Sequence, residues 1–192
     1  MRLLLAAAAL FAVDLTLSFL LPISQAEAGT ALRLDVPGLA HNASLIVEAH
    51  VLSARPVETG GILQTEYVLE VSRTLAGTDE PYRAVRLPGG VRDDGSGLLI
   101  PGMPQISEGE SVLLFLTDES QNGMRMPVGL AQGKFGVVTL ADGKKRLVGD
   151  ASMATLVAPG QELGQAGARS VIDYAEAVAQ IEAALPQKKV AR

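Results

Sequence analysis

Leu45-Ile46-Val47-Glu48-Ala49-His50-Val51-Leu52 is the stretch that decides the fold class. Leu45, Val47, Ala49 and Val51 share one face, and Ile46, Glu48, His50 and Leu52 share the other. A period of two is the signature of a half-buried strand. The same rhythm returns over Leu63 to Arg73, with Tyr67, Leu69 and Val71 expected inward and Glu66, Glu70 and Ser72 outward. Ala84 to Leu87 reads as a third strand, stopped by Pro88-Gly89-Gly90. Ser111 to Thr117 is a continuous apolar run, expected to be a strand covered on both faces. Val128 to Ala131 and Lys134 to Leu140 read as further strands, separated by Gln132-Gly133. Ala141-Asp142-Gly143-Lys144 reads as a hairpin turn into Arg146 to Val148.

Helices are expected at the ends. Asp35 is placed to cap a short helix over Pro37 to Asn42, since proline is tolerated in a first turn. At the other end Ser170 and Asp173 make a pair resembling a capping box, and Val171, Tyr174, Val178, Ile181 and Leu185 make an apolar stripe at helical spacing. Several strands joined by hairpins with one flanking helix predict a mainly β protein. The expected form is a small closed barrel with a short N-terminal helix, and a C-terminal amphipathic helix as its lid.

Met1 to Ala28 reads as a secretory signal. Arg2 precedes an apolar run from Leu3 to Val13, Pro22 breaks the helix, and Ala26-Glu27-Ala28 offers a small-x-small cleavage site. Asp14 would cost about 3 kcal/mol in a retained membrane helix. The expectation is therefore an exported protein, periplasmic or extracellular, with no stable membrane span after cleavage. The expected division is a signal at 1–28, a barrel domain at 29–150, a linker at 151–168, a C-terminal helix packed on the barrel at 169–186, and a tail at 187–192.

Composition narrows the chemistry. The 192 residues include no Cys, no Trp and two His, and the net charge is −5. Disulfides, thiolate zinc sites and cysteine nucleophiles are excluded. An acidic balance with few aromatics argues against nucleic acid. His41 and His50 lack a third ligand nearby, so no metal is expected. Asp93-Asp94-Gly95-Ser96-Gly97 lacks the alternating acids of a calcium loop and reads as a polar turn. No GxSxG elbow is present, and Gly129 to Gly136 lacks the Gly-Lys-Ser/Thr ending of a phosphate loop. No catalytic residue and no cofactor are expected, and the protein reads as a non-enzyme.

The run Pro37 to Ser53, PGLAHNASLIVEAHVLS, resembles the opening of a netrin-like domain, the OB-fold module of the tissue inhibitors of metalloproteinases. Ala43-Ser44 stands where that module has an Ala-Asp pair. Thr65 to Gly77, TEYVLEVSRTLAG, is similar to its second strand, with Leu75-Ala76-Gly77 at the closing turn. Pro88-Gly89-Gly90, Gly109 to Leu116 and Val128 to Phe135 resemble segments of cysteine-free secreted bacterial proteins. The resemblance implies an OB-like barrel that binds another exported protein, a secreted metalloprotease being the class implied. The animal inhibitors hold the target zinc through a disulfide-fixed N-terminal cysteine. Here the chain cut after Ala28 begins Gly29-Thr30-Ala31, with nothing covalent to fix it, so that mechanism does not carry over.

The remaining candidate is the Gly- and Pro-rich connection Pro88 to Glu110, which holds Leu98, Leu99, Ile100, Met103 and Ile106. Long connections in compact domains are often functional. The plain alternative is that these apolar residues fold back over a barrel end. The expected partner-binding set is Gly29, Thr30, Ala31, Pro88, Gly89, Gly90, Leu98, Leu99, Ile100 and Pro101. A second reading is a periplasmic binder of a small molecule or envelope component at the barrel mouth, which requires a deep pocket.

Overall fold

A computed structural model describes residues 29–161 and 164–186. The signal at 1–28 and the tail at 187–192 lie outside the described residues. In chain order the elements are β1 (Gly29–Leu32), α1 (Val36–Asn42), β2 (Leu45–Thr59), β3 (Ile62–Ala76), β4 (Tyr82–Pro88), β5 (Gly90–Val91), β6 (Gly97–Leu98), β7 (Ser111–Leu116), β8 (Lys134–Thr139), β9 (Lys145–Asp150), β10 (Ala154–Val157), β11 (Gln165–Ala166), β12 (Arg169–Asp173) and α2 (Tyr174–Ala184). A single 3-10 turn, Leu130–Gly133, precedes β8.

β2 and β3 form a long hairpin. Thr59 pairs with Ile62 across Gly60-Gly61, whose φ values of 60° and 76° suit the tight hairpin turn that only glycine enters freely. Register shifts at Ile46/Val47, Glu48/Ala49 and Val51/Ser53 bend the ribbon. The main sheet runs β12-β9-β8-β7-β2-β3-β4. β1, β10 and β11 make a second sheet, and β5 and β6 a small hairpin.

The mainly β expectation agrees with this, but the closed OB-like barrel does not. Closure requires the first and last strands to pair. Here β4 and β12 are the two ends of an open sheet. The outer side of β4 meets an irregular segment instead, through a bridge between Arg86 and Met124. At the far end, Arg169–Asp173 extends the sheet as a strand.

Alternation along β2 divides the core as its period requires. Leu45, Val47, Ala49 and Val51 join Tyr67, Leu69, Val85, Leu87, Val112, Leu114 and Leu116 on one face, covered by Ile106 and Met103. Ile46, Leu113, Phe115, Phe135 and Leu147 lie on the other face, beneath Leu39 of α1 and Ile181 of α2. β7 is thus covered on both sides, as its continuous apolar run requires. Phe115 and Phe135 meet edge to face at 6.0 Å.

Both helices are capped. Asp35 accepts from Gly38 N at 2.8 Å, so α1 forms where the sequence places it. α2 starts at Tyr174, later than the stripe suggests. Asp173 is itself the cap, accepting from Ala175 N and Glu176 N, and Val171 lies in β12 with 69% of its surface exposed. The expected linker at 151–168 contains β10 and β11, and Val128 to Ala131 runs into the 3-10 turn where a strand was expected.

Candidate functional site

Pro88 ends β4, and Gly89 N donates back to Leu63 O at 2.9 Å. The chain then turns out into the β5–β6 hairpin, where Gly90 pairs with Leu98 and Val91 with Gly97. Its tip is the polar turn expected from Asp93 to Gly97. Asp94 Oδ1 accepts from Ser96 N at 2.9 Å, and Arg92 reaches Glu58 at 3.0 Å. A hairpin this short buries little, so its apolar residues remain in solvent: Leu99 is 79% exposed, Val91 53% and Leu98 43%. Ile100 is half-buried and Pro101 exposed, while Met103 and Ile106 return to the core.

Nothing covalent holds β1, but strand pairing fixes it. Gly29 to Leu32 runs parallel to Ala154 to Val157. The buried side chain of Gln132 clamps the following turn: its Nε2 donates to Leu32 O and its Oε1 accepts from Leu34 N, both at 2.9 Å. The 3-10 turn that carries Gln132 also ties down the hairpin's exit, through Ala131 N to Gly102 O at 2.8 Å. Leu130 adopts φ 60°, rare for a bulky residue, and its side chain lies against Gly29 and Gly102. A Cβ on Gly29 would stand 2.3 Å from Pro101 O. Glycine is therefore required where β1 meets the loop.

These contacts bring most of the expected residues into one ridge, with Gly89 buried and Ala31 turned away from it. Pro88, Gly89 and Gly90 join Leu98, Leu99 and Ile100 through the β5–β6 pairing, and Pro101 joins them to Gly29. Thr30 is exposed beside Gly29, whereas Ala31 turns toward Ala151, Ala154 and Leu156. Sequence reading missed Val91, Leu130 and Gln132. The glycines around Gln132 signalled an irregular corner, but nothing local shows that its amide reaches the N-terminal strand.

Two polar clusters lie on the main sheet. Glu48, only 6% exposed, accepts from Lys145 Nζ at 2.6 Å and from the Tyr174 hydroxyl. The bond to Glu48 holds the Lys145 ammonium above its usual range, and burial followed by the bond to Glu48 raises the Tyr174 phenol. Arg73 reaches Glu182 at 2.8 Å, adding a second tie from sheet to α2. Glu66, expected to face solvent, is buried between Arg55 and Arg86, whose hydrogen bonds, Arg55's the larger, lower its carboxyl.

Glu66 and Arg86 also line an open cleft of about 250 Å³ with Glu119 and Arg125, while an apolar cleft of about 350 Å³ lies between Leu32, Leu34 and Val128. His41 lies in the last turn of α1, exposed, and His50 lies 3.4 Å from Ser111 Oγ. Among the described residues, no three His, Cys, Asp or Glu side chains are grouped to hold a metal ion. No helix among them is long and apolar enough to cross a membrane. No family model, curated protein or solved structure matches the chain.

Proposed function

We propose that this is an exported, non-enzymatic binding module whose ridge docks another exported protein. The observation that carries the reading is the junction of Gly29 with Pro101, which ties the expected mature N-terminus to the segment that carries the exposed Leu98 and Leu99. Apolar side chains held in solvent on a braced hairpin mark interaction surfaces more often than packing faults. The bracing keeps the ordering cost of binding low. A secreted metalloprotease is the partner class implied by the resemblance at Pro37–Ser53 and Thr65–Gly77, and it is the first class to test.

The surface favours a protein partner over a small molecule. Both clefts are open and lie at or below the low end of ligand-pocket volumes, roughly 300–1,000 Å³. Binding and inhibition assays with secreted metalloproteases test the partner class. Leu99→Ser is expected to weaken binding by about tenfold or more while leaving the melting temperature unchanged. Equal binding by Leu99→Ser would remove the ridge from the account.

A further inference from the structure

The two ends of the main sheet differ. β4 is covered where Arg125 N donates to Arg86 O at 2.9 Å. β12 has β9 on one side and, among the described residues, no strand on the other. The bond from Ala151 N to Ala168 O fixes the phase of the β9–β12 ladder, because bonded pairs alternate in an antiparallel pair. Ser170 and Ile172 therefore bond to β9. The backbone N–H groups of Arg169, Val171 and Asp173 point outward, as do the carbonyls of Arg169 and Val171. Unpaired edges of this kind template the addition of another strand.

The side chains select which strand. Val171 is 69% exposed at the centre. Arg169 and Asp173 flank it at equal distances, with side chains 80% and 42% exposed. Antiparallel pairing of two such strands about Val171 sets each Val171 N–H on the other copy's Val171 carbonyl. It also sets each Arg169 directly opposite Asp173 of the second copy, a favourable cross-strand charge pair. Existing ties from Arg169 to Asp150 and from Arg146 to Asp173 extend these contacts into a network across the axis. We propose that the outer edge of β12 is a self-association surface, on which a second copy of this chain docks by two-fold antiparallel pairing centred on Val171. The proposal is independent of the ridge.

Cysteine cross-linking with sedimentation velocity tests it. The chain has no cysteine, so Val171→Cys supplies a unique thiol. The pairing places the two Cα atoms about 5.5 Å apart, within disulfide reach. Purified protein is expected to sediment as a dimer. Val171→Cys should form a covalent dimer on mild oxidation far faster than Leu99→Cys. Val171→Pro, which removes only an outward N–H, should weaken the dimer by about tenfold or more. Circular dichroism checks that each variant is folded. A monomeric wild type with equal cross-linking of both thiols overturns the proposal. So does a dimer that cross-links better through Leu99→Cys or persists unchanged in Val171→Pro.

Discussion

Gln132 shows how much one amide can organise. Its partners are backbone groups of Leu32, Leu34 and Gly129. Truncation leaves buried polar groups unmade, so Gln132→Ala should lose about 1–3 kcal/mol in denaturant unfolding and speed amide exchange in β1. Gln64 is the opposite case: fully buried, with neither amide atom bonded among the described residues. Gln64→Leu is expected to raise stability by about 1 kcal/mol, read from the denaturation midpoint. Asp150 gives an acid dependence. The Ser152 hydroxyl, then Arg169, holds its carboxyl at about 2 against an ordinary 3.8. A lowered value means that the contribution is complete above about pH 4 and is lost as pH falls through about 2. Asp150→Asn should therefore flatten the stability profile across that window, by little, because the side chain is 39% exposed. None of these roles is legible in sequence, since each depends on a partner brought in by the fold or on the lack of one.

At the scale of elements, α2 is held by grease and by charge. Ile181 is fully buried against the sheet, and Tyr174 bonds the buried Glu48. Ile181→Ala should cost about 2–5 kcal/mol and Tyr174→Phe about 1 kcal/mol in thermal or denaturant unfolding. The inner part of this helix was readable because Val178 and Ile181 recur at helical spacing. Its start was not. Ser170 and Asp173 have the spacing of a capping pair, but Val171 and Ile172 are β-branched, and pairing with β9 takes the segment into the sheet. The strands β2 and β3 were legible for the reason that the helix start was not: their alternation is long enough to leave one solution. β10 and β11 are too short and too rich in small residues to announce themselves.

For the whole molecule, periodicity predicts strands but is silent about which edges meet. That is why a barrel was expected and an open sheet is found. Both faces of that sheet are used, one beneath two helices and the other beneath Met103 and Ile106, and this leaves Val91, Leu98 and Leu99 as the exposed apolar part of the connection. The ridge was legible as a set of residues, through its Gly-Pro punctuation and stranded leucines. The bracing that unites it was not, because Gln132 and Leu34 lie 98 positions apart. A partner is proposed to read this ridge, with Gly29, the expected mature N-terminus, in it. The most direct measurement is binding of purified exported proteases to the wild type, to Gly29→Val and to Leu98→Ser/Leu99→Ser, by biolayer interferometry. The wild type is expected to bind, both variants to lose about tenfold or more, and the double serine variant to keep its melting temperature. Undiminished binding by both variants, or no binding by the wild type, would contradict it.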